Sequence, residues 1–350
     1  MPLTFCLDAM RTRFEIVLDA PHLPERDAAA AARAALEEVA LAEARLSLFR
    51  KDSLLAHINR AAAHEPVRLD ADTFDLLATA HAVWLASDGA FDPTVARRMT
   101  ALGLHEDAVL PDLADTAPPP SPACGGGVTR GTASVTEGAA DQPSTHANTP
   151  HTFAAIDLNP AASTIRFHAP VALDLGAIAK GHALDLAARV LREHAIETAL
   201  LHAGTSTVLA LGHPPSADAW RIAIRTDAAP TRGMLAALGK HADQPEATTP
   251  PKAATGPPGP IVPLTNSALS VSAHHARSSP TDPATTHILD PRTGLPAAPH
   301  HPIAAVTAPT ATLADAWSTA ILVLQSPPTA LPPDIRVILP AREGVPSTQH

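Results

Sequence analysis

The chain has 350 residues, with 35 Asp and Glu against 25 Lys and Arg, and a formal charge of −10. That length can bury a sizeable core in one large or two modest domains, while the acidic balance and the lack of basic runs exclude nucleic-acid binding as the main activity. Cys6 and Cys124 are the only cysteines, so neither a cystine framework nor a structural zinc site is expected.

At the N-terminus, Asp8, Arg11, Arg13 and Glu15 interrupt any apolar run long enough for a signal sequence or a membrane span, and Cys6 has no apolar stretch before it. The expectation is a cytoplasmic protein without stable membrane insertion. Residues 14–18 predict a first strand. An Ala-rich helix follows over about 27–48, with Pro24 ahead of it and Asp27 as its cap. A second helix is predicted over 72–86, where Phe74, Leu77 and Trp84 recur at helical spacing and read as core. Residues 111–150 are dominated by Pro, Ala, Gly, Ser and Thr and read as a flexible insertion; 242–260 has a similar Pro/Ala/Thr bias. Between these lie a glycine-rich turn near 174, a helix over 183–194, and strands near 198–202, 207–211 and 220–225. Apolar runs at 268–272 and 303–306, a helix from Leu313 and a strand at 335–339 complete the chain. Helices and strands mix without strict βαβ alternation, which favours an α+β fold.

Three segments carry chemistry. Residues 173–181 (LDLGAIAKG) have the form strand, tight turn, helix, with so little side-chain bulk that backbone amides can approach an anion. Lys180 adds a mobile positive charge, and Asp174 can accept a hydrogen bond from a base or ribose, or help to hold a metal. Residues 287–294 (HILDPRTG) place His287 before an Asp-Pro turn. In residues 313–319 (LADAWST), Asp315 and Thr319 stand four apart on one helix face beside an apolar stripe. A carboxylate, a hydroxyl and a nearby carbonyl suit a hard cation such as Mg²⁺ that keeps substrate phosphate in its shell. Singly, each segment has an ordinary structural reading as a packing turn, a capped loop or a solvated helix edge. Their joint order and spacing favour one site for a diphosphate and a divalent cation.

These residues resemble the ApbE-type FAD:protein FMN transferases. The resemblance runs in order through residues 9–14, 46–53, Asn59 and 88–95, and then through the three segments above. It implies a single T-fold-related catalytic domain over 5–345, with mixed or antiparallel sheets flanked by helices and interrupted by the two insertions. It further implies transfer of the FMN half of FAD to a Thr or Ser hydroxyl of an acceptor flavoprotein in a redox complex, with release of AMP. Mg²⁺ would be held by the side chains of Asp315 and Thr319 and the carbonyls of Ala177 and Ser318. Asp174 and Lys180 carry over as FAD contacts. Met10, Phe49, Ala90, Phe91, Asp92 and Leu289 match positions lining the flavin or adenine pocket. His287 matches the catalytic base, an imidazole being suited to take a proton from an attacking hydroxyl near neutral pH. The chain departs from the family pattern at Thr205 and Ser206, where Gly and Asp are usual, and at Arg11, where Gly is usual. An FAD pyrophosphatase and a non-catalytic FAD-binding protein remain as alternative readings.

Overall fold

The computed structural model describes residues 2–105, 107–112, 152–224, 235–237 (backbone only), 259–274, 288–297 and 301–338. Almost all of the two expected insertions, and His287, lie outside the described residues.

The chain opens on a hairpin absent from the expected elements at its first strand: β1 (Leu3–Ala9) pairs antiparallel with β2 (Thr12–Leu18) across the two-residue turn Met10–Arg11. The next element, α1 (Glu25–Leu46), starts two residues earlier than expected. Pro24 takes the cap position without a side-chain bond, and Asp27 lies in the first turn, where its charge favours the positive end of the helix. Two short helices are not among the expected elements, α2 (Leu54–Ala61) and α4 (Ala96–Ala101), nor is the small sheet formed by β3 (Val67–Arg68) with two later strands. The expected second helix is α3 (Ala71–Ala86), capped by the Asp70 carboxylate on the Thr73 amide. The small sheet is completed by β4 (Ile156–Asn159) and β5 (Thr164–Phe167), in the order β3-β5-β4.

The second half carries α5 (Ala179–Glu193), β6 (Ala199–Ala203), β7 (Thr207–Leu211), β8 (Trp220–Ile224), β9 (Leu235–Ala237), β10 (Ile261–Leu264) and β11 (Ser267–Ala273). After these come β12 (Leu289–Asp290), β13 (Leu295–Pro296), β14 (Ile303–Ala308), α6 (Ala311–Leu324) and β15 (Arg336–Ile338). Helix α5 begins four residues before its expected start, with Gly181 inside its first turn. An added Cβ at Gly181 would lie 2.1 Å from the Ala311 carbonyl oxygen, so glycine is required there to let the first turn of α5 touch the backbone of α6.

Seven strands form one antiparallel sheet in the order β1-β2-β6-β7-β11-β14-β15. One face carries α1, α5 and α6, whose apolar sides join Phe14, Ile16, Leu201 and Val306 in the main core. The other face is covered by the three-stranded sheet β10-β8-β9, and Val208, Leu269 and Val271 pack there against Ile222, Val262 and Leu264. Coverage on both sides explains why β7 is buried throughout and reads as a continuous apolar run rather than an alternating one. The architecture is α+β, as expected. No helix among the described residues is long and apolar enough to cross a membrane.

Candidate active site

A cavity of about 760 Å³ opens where the β1–β2 turn, the β6–β7 turn and the last residues of β11 meet the first turns of α5 and the Asp315 side of α6. Its lining includes Met10, Phe49, Ala90, Phe91, Asp92, Asp174, Ala177, Lys180, Leu289, Asp315 and Thr319, which lie far apart in sequence. Ser318 does not line it. That side chain is fully buried, and its hydroxyl donates to the Asp315 carbonyl at 2.9 Å and bonds to Ser270 and Ser272.

The segment before α5 is threaded into place by backbone pairing. The Asn59 amide group donates to the Leu173 carbonyl at 3.0 Å and accepts from the Leu173 N–H at 2.8 Å, so a buried side chain serves as a strand partner. Val95 and Ala172 form a parallel bridge, and the Asp174 N–H donates to the Pro93 carbonyl at 2.7 Å. This pins Asp174 at the start of the turn. One of its carboxylate oxygens accepts from the Gly176 amide at 2.8 Å, and the other bonds His105 Nε2 at 2.8 Å. Burial works against ionisation of Asp174, but the His105 bond and charge, the Gly176 amide and Lys180 outweigh it and hold the carboxyl below its usual range. His105 was not found from sequence. It lies 69 residues from its partner, in a loop with no motif around it.

Helices α5 and α6 cap each other. Asp315 on α6 accepts from the Gly181 amide in the first turn of α5 at 3.1 Å. Asp185 on α5 accepts from the Ala311 and Thr312 amides at the start of α6, at 2.9 and 2.8 Å, and from the Thr312 hydroxyl. Each helix thus satisfies orphan donors of the other and places a negative charge at its positive end. The anion beside the Gly181 amide is therefore the protein's own carboxylate, and the Gly176 amide is likewise engaged by Asp174. Burial pushes the Asp185 carboxyl upward, against its bonds from Thr312 and Ala311.

Asp315 sits at the centre of a polar cluster although its side chain is only 4% exposed. Lys180 Nζ lies 3.2 Å from Oδ2, and the hydroxyls of Thr207 and Ser270 donate to Oδ1 at 3.1 and 3.2 Å. The Thr319 hydroxyl turns back to the Asp315 carbonyl at 3.4 Å and meets Ser272 Oγ at 3.3 Å. Thr207 and Ser270 were also missed from sequence. Their signal was a hydroxyl within an apolar strand, on the face opposite to Leu269 and Val271.

The side chains of Asp315 and Thr319, both in the cavity lining, offer oxygen alone, a donor set that fits a hard cation bound through one carboxylate, and Ala177 lines the same cavity. Among the described residues no group of three or more His, Cys, Asp or Glu could hold a metal, so any cation here would draw further ligands from substrate or water.

Another part of the cavity lining is aromatic. Phe49 meets His105 edge-on, with ring centroids 5.6 Å apart, and the Arg11 guanidinium carbon lies 4.1 Å from the centroid of Phe49. Asp92 lines the wall, but its carboxylate binds the loop itself: it accepts from the Thr94 amide and hydroxyl at 2.8 and 2.6 Å and from the Phe153 amide at 3.1 Å. Burial drives the Asp92 carboxyl upward despite these bonds.

Comparison with known proteins places this arrangement. The chain is 29% identical over 309 residues to the FAD:protein FMN transferase of Treponema pallidum (strain Nichols), covering 85% of this chain and 73% of that one. Its fold matches the crystal structure of the ApbE protein of Thermotoga maritima MSB8, with TM-score 0.66 and 24% identity over 93% of this chain and 87% of that one. It also matches the flavin transferase ApbE of Vibrio cholerae, with TM-score 0.62 and 20% identity over 93% and 88% of the two chains. The ApbE family as a whole matches residues 10–330, which take in both parts of the cavity lining, and the chain belongs to that family.

Proposed function

We propose that this protein is a flavin transferase that moves the FMN half of FAD onto a Thr or Ser hydroxyl of an acceptor flavoprotein and releases AMP. The observation that carries this reading is one cavity lined both by an aromatic ring, Phe49, and by a carboxylate–ammonium pair, Asp315 and Lys180. A flavin nucleotide has the matching parts, a planar ring and a diphosphate. The transferase names of the Treponema and Vibrio relatives support the same reading.

In the proposed reaction the acceptor hydroxyl oxygen attacks the phosphorus of the FMN half. The bond to the bridging oxygen breaks, and AMP leaves with the electron pair. Lys180, on the first turn of α5, offsets charge on the diphosphate, while the reciprocal caps of α5 and α6 keep Lys180 and Asp315 in fixed relation. Phe49 orients the ring by stacking. His287 is assigned to proton removal on its motif alone, since it lies outside the described residues. Mg²⁺ held by Asp315, Thr319 and the Ala177 carbonyl would supply Lewis acidity and orientation to the diphosphate. The proposed acceptor is a flavin-carrying subunit of a redox complex.

Incubating the protein with FAD, Mg²⁺ and a candidate acceptor, followed by intact-mass spectrometry, tests this directly. Covalent FMN on a Thr or Ser of the acceptor is the expected result. Release of FMN and AMP in equal amounts, with no adduct on any acceptor, would instead establish the pyrophosphatase.

A further inference from the structure

The cations of this cavity are mostly spent. Among the described lining residues there are four carboxylates, Glu43, Asp92, Asp174 and Asp315, against Arg11, Arg50 and Lys180. Arg50 is bound to Asp52 at 2.9 Å and Lys180 to Asp315 at 3.2 Å. Of these three cations, Arg11 has no carboxylate partner among the described residues. A substrate carrying a diphosphate would find the other two cations already paired with carboxylates.

The backbone beneath Arg11 is unusual. Met10 and Arg11 have φ of 49° and 60° at the centre of a two-residue hairpin turn, a conformation that favours Asn-Gly. The turn is tied down from outside the hairpin, because the Met10 N–H donates to Glu43 Oε1 at 2.6 Å. The result is a long, exposed side chain delivered to the cavity lining and resting on the face of Phe49. Strain retained at a ligand cavity points to a role there.

We infer that Arg11 is a substrate-binding and specificity-determining residue, supplying the uncommitted positive charge that recognises the phosphate-bearing part of the flavin nucleotide. This rests on the flavin nucleotide proposed above as substrate. The guanidinium stores its charge on the Phe49 ring and exchanges that weak contact for charge-assisted hydrogen bonds to phosphate oxygens.

The test is FAD affinity, read by flavin fluorescence on the full chain, for the wild type, R11G, R11M and R11K at low and high salt, with riboflavin as the ligand that lacks phosphate. Glycine relieves the positive φ, so R11G should keep or raise the thermal midpoint, separating binding from folding. R11G and R11M are expected to weaken FAD binding roughly tenfold and to flatten its salt dependence, while R11K stays within about threefold of wild type. Riboflavin affinity should change little. FAD binding by R11G and R11M that equals or exceeds wild type would overturn the inference and make Arg11 a cap on Phe49. So would a loss in R11K as large as in R11M, or equal losses for FAD and riboflavin. A wild-type protein that binds no flavin at all would instead sink the proposed function and leave the Arg11 comparison flat.

Discussion

Two parts of the cavity lining are built in different ways. Around Asp315, side chains stand on β7, β11, α5 and α6, and nearly every polar atom has a partner within the protein. Around Phe49, a loop residue and a turn residue meet through one ring contact and one cation–ring contact. The first part is held by the same bonds that hold the fold, so its chemistry and its stability are not separable. The second is held by packing of Phe49 and Met10 against the main core and by the hydrogen bonds of the Phe49 amide to Ser47 and of the Met10 amide to Glu43, so its side chains facing the cavity can change with less effect on stability.

Substitutions should break along that division. Asp315→Ala is expected to have the largest effect. It leaves the Gly181 amide without its acceptor and Lys180 without its partner, costing about 3 kcal/mol of stability, and removes the one carboxylate proposed for the cation. Thermal unfolding together with turnover against Mg²⁺ concentration checks both arms, and a variant with an unchanged Mg²⁺ titration would place the ion elsewhere. Gly181→Ala comes next. Its Cβ would be driven into the backbone of Ala311, so the two helices must separate, at a cost of about 2 to 3 kcal/mol by denaturant titration. A neutral result there would mean that α5 and α6 tolerate separation and that reciprocal capping is dispensable.

Acid should act on Asp174. Its carboxyl is held below the usual range in the folded state, so its contribution to stability is complete above the unfolded value near ~3.9 and is lost as pH falls through the lower folded value. Thermal midpoints measured from pH 6 down to pH 3 should therefore fall more steeply for the wild type than for Asp174→Asn. Parallel curves would show that the His105 contact contributes nothing to folding. The smallest stability effect is expected from Phe49→Ala, a half-buried side chain at the aromatic part of the lining: about 1 kcal/mol, alongside a roughly tenfold loss of FAD affinity measured by fluorescence. A large drop in thermal midpoint would show that the aromatic lining belongs to the core as fully as the surroundings of Asp315.

Legibility in the sequence follows the same physical divide. The LADAWST stripe announces α6 and places Asp315 and Thr319 on one side, because a 3.6-residue period survives in one dimension. The turn from Asp174 to Gly181 is legible for the same reason, its glycines and lysine being local. The short helices α2 and α4 carry too few residues to show a period, and the first strand of the hairpin was lost among the charges that argued against a signal sequence. The Met10–Arg11 turn lacks the Asn-Gly signature that would have marked it.

By itself, the sequence determined the α+β class, most of the elements that line the cavity, and the residue types capable of meeting a diphosphate and a cation, since all of these are properties of neighbours within a turn or two. Only the tertiary structure decided which partners those residues take: His105 on Asp174, Thr207 and Ser270 on Asp315, Asp185 and Asp315 exchanged between helix ends, and Arg11 left with no carboxylate among the described residues. The reason is that hydrogen bonds and ion pairs depend on distances of about 3 Å in space, and residues 45 to 135 positions apart reach those distances only after the sheet and its helices have packed.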